Sequence, residues 1–467
     1  MFESALAFPH PIAPARIQVL NDQPLRGGDF ILYWMQQSQR AQDNHALTCA
    51  VAMANHCALP LLVVFGLTPD YPEANQRHYR FMLEGLREVR DDLAKSGVRL
   101  AVVIGHPPEV ALNAAHKAAA VVCDRGYLRH QKQWRREVAD QARCAVVQVE
   151  SDVVVPVDLV SDKAEYAART IRPKIRRHLA GFLKPVPTVA LRRTGGVPRM
   201  SKALAPVSLD DLSPVPGVDE RVVPADRFFV GGAREAEKRL QHFIRNGLAQ
   251  YTAHGNQPQT DDVSHLSPYL HFGQISPLRV AMALTRRRAS VALDGQIDAF
   301  LEQLVVRREL ACNFVHHTPD YDAYTCIPEW ARRTLAAHRD DPRPYLYTPA
   351  QLENARTHDR YWNAAMQEMR GTGFMHNYMR MYWGKKILEW CPDPASAFAT
   401  ALMLNNRYFI DGRDPNSYAG VAWVFGVHDR AWAERPVFGK LRYMAAAGLE
   451  RKCDIEGYVR KVESRMA

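Results

Sequence analysis

The chain has 467 residues, of which 60 are Lys or Arg and 50 are Asp or Glu, so its formal net charge at pH 7 is +10. Hydrophobic residues make up 47% and charged residues 24%, proportions of a soluble globular protein that disfavour both wholesale disorder and a membrane bundle. The length suggests two or three domains of roughly 150 residues. The positive balance makes a polyanion a reasonable partner but does not indicate a fold.

The cysteine pattern and the first residues of the sequence indicate the cellular compartment of the protein. The eight cysteines include no C-x-x-C pair, which argues against a disulfide framework and a zinc knuckle. The first 20 residues lack the basic region of a signal peptide, and the longest apolar stretch, 58–67, is too short to span a bilayer. We expect a protein of the reducing cytoplasm with no membrane association.

The first third of the sequence alternates short apolar runs with helical periodicity. The runs predict strands at 30–34, 60–66, 98–105, 119–124 and 145–150, with helices at 41–57, 75–96, 108–118 and 130–141 between them. Strands separated by single helices indicate a doubly wound parallel sheet. No G-x-G-x-x-G or Walker sequence follows any strand, so a conventional dinucleotide or P-loop site has no support.

A basic segment follows this α/β domain, which we place at 1–160. Residues 161–202 hold eleven Lys or Arg and only two acids, so nearly all of the excess charge lies here. The stretch 164–183 is helix-like, and the prolines after it, Pro198 among them, indicate an interdomain linker over 161–232. We interpret it as a solvated basic connection, and direct contact with nucleic acid is the alternative.

The remainder of the chain, 233–467, has a helical pattern. Helices are predicted at 232–250, 277–288, 295–316, 361–368, 373–390 and 394–404. The second domain is therefore expected to be all-helical.

Tryptophans are concentrated in this second domain, where six of the eight follow residue 329. Trp383 and Trp390 are seven residues apart on one predicted helix and so lie on nearly the same face. Such a stripe is usually core packing. The alternative is a series of oxidisable indoles that carries electrons to a buried cofactor.

Two other features of the second domain suggest a ligand. Ser264 and Ser267 precede a helix with Pro at its start and could offer hydroxyls and free N–H groups to a phosphate, although the bare pattern is only a helix cap. Glu302 and Arg308 lie among apolar neighbours in a predicted helix. If buried, such charges must be paired or must meet a ligand.

Together with these features, six longer segments resemble the class II cyclobutane pyrimidine dimer photolyases of the photolyase/cryptochrome superfamily. They run through both domains in family order: 33–44, 165–174, 266–276, 306–314, 375–390 and 411–420. So long a set is far more specific than any short motif. The resemblance implies a Rossmann-like antenna domain joined by a long linker to an all-helical FAD-binding domain.

The resemblance also implies a function, that of a carbon–carbon lyase acting on ultraviolet-damaged DNA. FAD would bind noncovalently, and the enzyme would flip a pyrimidine dimer out of the duplex. Light would excite the reduced, anionic flavin, one electron would move to the dimer, the cyclobutane ring would split and the electron would return. The first domain could hold an antenna chromophore, 8-hydroxy-5-deazaflavin or methenyltetrahydrofolate, or none. We expect a monomer associated with the nucleoid.

The resemblance assigns the cofactor residues one by one. Those lining the phosphate and ribityl side of FAD would be Tyr251, Ser264, Leu266, Ser267, Gln274, Arg308 and Arg380. Asp411 and Asp414 would address the flavin or the adenine, and Asn405 would face flavin N5. Without the resemblance, the segments around Asn405 and Asp411 are turn signals.

The remaining roles that the resemblance implies are electron supply to the flavin and contact with DNA. Trp383, Trp362 and Trp390 would form the electron supply that reduces FAD. Glu302 would hydrogen-bond the dimer and steady its radical anion, which requires a proton on the acid or a matched donor opposite it. The residues that wall the lesion pocket or grip DNA phosphates would be Tyr378, Met381, Trp423, Arg430, Lys440 and Arg442.

The sequence departs from the family pattern twice. Where many relatives have Arg-Asn-Asp-Pro, this chain has Gly255-Asn-Gln-Pro. The arginine that would enter the space left by the flipped dimer is therefore missing, and His254 is a candidate to replace it. Asn377 stands where many relatives have Gly, and it resembles the substrate-contacting amide of other photolyase classes.

Two other functions compete with repair. A cryptochrome-like photoreceptor would bind FAD without repairing DNA, but Glu302, Met381 and the C-terminal basic residues favour repair. The α/β domain alone is compatible with an adenylating ATP-dependent enzyme. We set that aside because the chain lacks the Ser-Gly-Gly pyrophosphate loop.

Overall fold

Five apolar runs in the first 150 residues form the centre of a six-stranded sheet in the computed structural model, which describes residues 10–196 and 204–466. They are β2 (Phe30–Trp34), β3 (Leu61–Leu67), β4 (Arg99–Ile104), β5 (Ala118–Asp124) and β6 (Ala145–Val149). These strands pair in parallel, in the order β6-β5-β2-β3-β4. Parallel strands covered on both faces read as continuous hydrophobic runs, which is why their positions were predictable.

The sheet has one strand that the sequence pattern did not predict. Strand β1 (Ile17–Val19) lies at the edge and pairs antiparallel with β6, with Ile17 opposite Val149. Three residues are too few to show a period of two. The predicted doubly wound parallel sheet is therefore confirmed, with one antiparallel strand added at its edge.

Four helices cover the two faces of the sheet, as predicted: α1 (His45–His56), α2 (Gln76–Lys95), α3 (Pro107–Ala115) and α4 (Arg129–Gln141). The Asn44 side chain accepts a hydrogen bond from the backbone N–H of Leu47 and so caps α1. The capped helices and short turns place the carboxyl ends of the parallel strands at one edge of the sheet.

The predicted linker lies against the α/β domain over much of its length. It begins with α5 (Val157–Val160) and α6 (Ala168–Phe182), and the apolar side of α6 buries Ile171 and Ile175. Farther along, the N–H of Val207 donates to the carbonyl of Val102. Pro198 lies outside the described residues.

The rest of the described chain is helical. Its elements are α7 (Ala233–His242), α8 (Tyr251–His254), α9 (Ser267–His271), α10 (Pro277–Thr285), α11 (Val291–Leu301), α12 (Arg308–His317), α13 (Glu329–Ala337), α14 (Pro349–Glu353), α15 (Arg360–Thr372), α16 (Asn377–Trp390), α17 (Pro394–Tyr408), α18 (Pro415–Val424), α19 (Ala446–Lys452) and α20 (Ile455–Met466). No helix of the described chain is long and apolar enough to cross a membrane.

Several predicted helices have different boundaries in the structure, and two of them bear on the site. The helix predicted at 373–390 starts at Asn377, because Gly373 adopts φ = 72° and ends α15 in the left-handed conformation. The helix predicted at 295–316 is divided by a π-helical turn, Glu302–Arg307, between α11 and α12. Hydrophobic periodicity does not reveal a local change from α to π hydrogen bonding.

A buried polar network fixes the α/β domain to the helical domain. Asp152, after β6, accepts hydrogen bonds from Arg40 Nη1 at 2.6 Å and Ser38 Oγ at 2.9 Å. Arg308 of α12 donates to the Asp152 carbonyl at 2.6 Å, and Arg40 donates to the carbonyl of Gly273 at 2.9 Å. All of these side chains are buried, so the relative position of the two domains depends on their mutual pairing.

A second carboxylate, Glu309, joins the same two domains. Its side chain accepts hydrogen bonds from the backbone N–H groups of Val154 at 2.5 Å and Val155 at 3.3 Å. Burial raises the pKa of Glu309 to about 8. The helix that carries Arg308 is therefore held to the end of the sheet by two adjacent residues.

Candidate functional site

A cavity of about 320 Å³ lies in the helical domain, and most of the predicted cofactor residues line it. Those that do are Tyr251, Ser264, Leu266, Ser267, Arg308, Arg380, Asp411 and Asp414. They come from five segments between residues 251 and 414, so their convergence depends on the tertiary fold.

The charges in this cavity are held by partners. Arg380 donates to both oxygens of Asp411 at 3.1 Å, and its guanidinium lies 3.8 Å from the centre of the Phe409 ring. Burial acts to raise the pKa of Asp414, but His271, Arg308 and the backbone N–H of Asn416 together outweigh it, so that this pKa lies below its ordinary value. The cavity thus presents ionised groups of both signs in fixed positions, which suits a zwitterionic or polyanionic ligand.

A second cavity of about 570 Å³ adjoins the first and shares Ser264, His265 and Phe374 with it. His265 has a backbone φ of 52°, and its buried Nδ1 has no hydrogen-bond partner among the described residues. A buried polar atom without a partner is costly. An extended cofactor with polar groups could satisfy it.

Two predicted cofactor residues lie elsewhere. Gln274 accepts a hydrogen bond from the N–H of Gly232 at 2.7 Å and donates to the carbonyl of Phe81 at 3.2 Å, so it joins the two domains. Asn405 is buried on α17 and donates to Asn406 Oδ1 at 2.9 Å. Neither lines the 320 Å³ cavity.

Glu302 begins the π-helical turn and does not line that cavity. Arg172 of α6 donates to its two carboxylate oxygens at 2.9 and 2.7 Å, and Arg307 lies 3.5 Å away. Burial acts to raise the pKa of Glu302, but the hydrogen bonds and charge of Arg172 outweigh it and hold the pKa below its ordinary value. Glu302 is therefore ionised at neutral pH, with Arg172 as the donor beside it.

The predicted lesion-pocket residues occupy α16 and α18. Tyr378 is buried, Met381 is half-buried, and the exposed Asn377 lines the 320 Å³ cavity. Trp423, half-buried on α18, has Lys385 at 5.1 Å and Arg442 at 5.6 Å from its ring centre. Two basic side chains thus approach the Trp423 ring, and sequence reasoning identified only Arg442.

Lys385 is the functional candidate that sequence reasoning missed on this side. Its side chain is fully buried, and its ammonium donates to the carbonyl of Val424 at the end of α18. Burial lowers its pKa to about 7. A buried cation at a helix C-terminus is stabilised by the helix dipole, but a Lys in a helical stretch carries no sequence signal for burial.

The three predicted electron-supply tryptophans are buried and close together. Trp362 Nε1 donates to the carbonyl of Trp383 at 3.0 Å, and the Trp362 and Trp390 rings lie 5.6 Å apart at 69°. The ring centres of Trp383 and Phe409 lie 6.3 Å apart, and Phe409 is the ring against which the Arg380 guanidinium packs. The Trp362 and Trp390 rings therefore pack together, Trp362 is hydrogen-bonded to the Trp383 backbone, and the Trp383 ring lies beside Phe409, next to Arg380 of the cavity wall.

The predicted DNA-contacting residues lie on an exposed C-terminal segment. The guanidinium groups of Arg430 and Arg442 lie 4.9 and 4.3 Å from the ring centre of Trp432, while Lys440 is exposed. Trp432 was missed by sequence reasoning, although an indole between two arginines in an exposed segment is a usable signal for stacking.

His254, the candidate to replace the missing arginine, already has a partner. Its Nδ1 lies 2.5 Å from a carboxylate oxygen of Asp262. Movement of His254 toward DNA would require that contact to break.

A small cavity of about 90 Å³ lies at the carboxyl end of β3, where His271, Phe272 and Arg413 of the helical domain complete its lining. Tyr71 and Trp134 line it with Gln36 and Gln39. Both amide atoms of Gln36 and Oε1 of Gln39 are buried without partners among the described residues. The unpaired amides and aromatic rings fit a planar polar ligand, for which the neighbouring side chains would have to move apart.

The chain was compared with known proteins. A family profile described as DNA photolyase matches residues 31–190. The deoxyribodipyrimidine photo-lyase of Methanothermobacter thermautotrophicus is 50% identical over 459 residues, which cover 97% of this chain and 98% of that protein. This chain belongs to the DNA photolyase family. Another family member, the deoxyribodipyrimidine photo-lyase of Potorous tridactylus, is 40% identical over 92% of this chain and 81% of its own length.

Solved structures confirm the fold predicted for this family. A bacterial class III photolyase from Agrobacterium tumefaciens matches 94% of this chain and 87% of its own with a TM-score of 0.69 at 18% identity. The cryptochrome of Synechocystis sp. PCC6803 matches 92% of this chain and 88% of its own with a TM-score of 0.70 at 16% identity. At such identities the likeness establishes the architecture and not the activity.

Proposed function

We propose that this photolyase-family protein repairs cyclobutane pyrimidine dimers in DNA in a light-dependent reaction of the class II type. The observation that carries the proposal is the convergence of eight predicted cofactor residues on one cavity, with the indole series beside its wall. Membership of the family supports it. The substrate would be ultraviolet-damaged chromosomal DNA in the cytoplasm.

The cavity residues fit FAD, the cofactor that the family generally binds. Arg308 would hold the diphosphate together with the hydroxyls of Ser264 and Ser267, because a guanidinium and hydroxyls are suitable donors to phosphate oxygens. Arg380 and Asp411 would fix the ring system, and His265 would gain a partner. When bound in its reduced anionic form, FAD would supply the photoexcited electron donor.

The neighbouring residues would bind and orient the lesion. Asn377, in the wall of the cavity, offers an amide that can donate to or accept from a pyrimidine edge. Trp423 and Met381 offer apolar surface to an extruded base. Glu302 stays ionised beside Arg172, so the pair presents both an acceptor and a donor at the lesion side.

Repair also requires that the cofactor be reduced, and we assign this role to Trp383, Trp362 and Trp390. Their contacts lead away from the cavity wall toward His358 and the exposed Tyr345, whose rings stack at 3.6 Å. The cavity beside Gln36 is the proposed antenna site. A deazaflavin or a folate would each place a planar ring among its aromatic side chains.

A repair assay tests the proposal directly. Photoreduced protein is mixed with ultraviolet-irradiated oligothymidine under blue light, and the recovery of thymine absorbance is followed. We expect recovery under light and none in the dark. Bound, reducible flavin without recovery would contradict repair and support a cryptochrome-like photoreceptor.

The proposed phosphate contacts of Arg430 and Arg442 lead to a second expectation. Arg430→Ala and Arg442→Ala should each weaken binding to dimer-containing duplex and reduce the slope of log K against log salt by about one, because one counterion fewer is released. Binding across a salt series measures both quantities. An unchanged slope would remove the substituted arginine from the DNA interface.

A further inference from the structure

Helix α6 lies next to the proposed lesion site, although its sequence favours a solvated linker and leaves contact with nucleic acid as the alternative. Arg172 reaches Glu302 with two hydrogen bonds. Arg176, one turn further along, also contributes to the lowered pKa of Glu302. The most basic segment of the chain is thus in contact with the π-helical turn that leads to Arg308.

The start of α6 lies next to the C-terminal basic segment. The Tyr166 hydroxyl donates to the carbonyl of Asp429 at 3.3 Å, and Asp429 immediately precedes Arg430. Arg169 lies 5.8 Å above the Tyr166 ring. Arg307, which lines the cofactor cavity, is half-exposed between the two segments and influences the pKa of His428.

The arginines of α6 share one flank of the helix. Arg169, Arg172 and Arg176 follow the i, i+3, i+7 spacing that places side chains on one side of a helix. This side lies next to the side that buries Ile171 and Ile175. Arg169 and Arg176 are exposed, and no carboxylate of the described chain lies within 4 Å of either guanidinium. Arg172 is paired with Glu302, whereas the like charges of Arg169 and Arg176 have no carboxylate partner among the described residues and repel each other.

We infer that α6 is part of the DNA-binding surface and that Arg169 and Arg176 contact backbone phosphates of the duplex flanking the lesion. The inference rests on the proposed repair function and extends it to a segment with no assigned role. The basic strip runs from Arg176 through Arg172 and Arg307 to Arg430. Arg169 and Arg176 lie about 10 Å apart along the helix, a separation that suits phosphates of one strand a few nucleotides apart.

The two exposed arginines can be tested without touching Glu302. The double variant Arg169→Ala/Arg176→Ala should bind dimer-containing duplex about tenfold more weakly at 0.1 M salt, with a salt slope reduced by about two. Repair of a thymine dimer dinucleotide, which has no flanking phosphates, should keep the wild-type rate. Circular dichroism verifies that the variant is folded.

A matched control separates this contact from a general effect of charge. Arg99→Ala/Arg143→Ala removes the same net charge from exposed positions at the amino ends of β4 and β6, away from the basic strip. The control should keep the wild-type affinity and slope. Equal losses in both double variants, or no loss in either, would overturn the inference. Failure of the wild-type protein itself to repair the dinucleotide would instead contradict the proposed function.

Discussion

Asp152→Ala is expected to lower the free energy of unfolding by about 3–5 kcal/mol, because it leaves the buried Arg40 guanidinium without its counterion. Arg40 and Asp152 are both nearly inaccessible to solvent and lie 2.6 Å apart. Ser38 would lose its acceptor as well. Chemical denaturation followed by circular dichroism measures the effect.

The matched control for this substitution is Asp22→Ala, at an exposed position of the same domain, which should change stability by less than about 0.5 kcal/mol. Asp152→Asn keeps the shape and one acceptor, so its loss should be intermediate. A loss below about 1 kcal/mol for Asp152→Ala would show that water or a neighbouring group replaces the carboxylate.

Trp383→Phe should separate cofactor reduction from repair. Phenylalanine fills much of the indole's space but is not readily oxidised, so photoreduction of the bound flavin should slow by at least about tenfold, as 1.4 kcal/mol of added barrier would produce. Repair by chemically prereduced protein should stay within about twofold of wild type. Flavin absorbance under blue light measures the first rate, and thymine absorbance measures the second.

Trp330→Phe provides the control, because Trp330 lies on α13 outside the indole series. It should leave both rates unchanged. Equal losses of photoreduction and repair in Trp383→Phe would refute an electron-supply role and indicate damage to the cavity that Trp383 adjoins.

The structural features that could be predicted from the sequence are those that depend on a local pattern of residues. Buried parallel strands such as Phe30–Trp34 are continuous apolar runs, and their positions agree with the structure to within one or two residues. The resemblance assigns Tyr251, Ser267 and Asp414 to one cofactor site, and in the structure all three line one cavity. The roles of these residues are proposals that the assays above test.

What the sequence could not predict depends on partners distant in the chain. Arg172 and Glu302 are 130 positions apart, and neither residue type indicates its partner. The burial of Lys385 and the placement of Gln274 between the domains likewise follow from tertiary packing. Pairs of polar groups that are far apart in the chain leave no periodic pattern in the sequence.

The π-helical turn Glu302–Arg307 has a consequence for how this site can change over evolutionary time. A π turn is equivalent to one residue inserted into an α-helix, so it sets Glu302 and Arg308 at angles that a regular helix would not give. Phe300 before the turn and Arg308 after it both line the cofactor cavity, and Arg308 also donates to the Asp152 carbonyl. Single substitutions on either side of the turn therefore leave the relative register of the two helices unchanged, whereas loss of one residue within the turn would rotate them relative to each other by about 100° and separate side chains that now share the cavity.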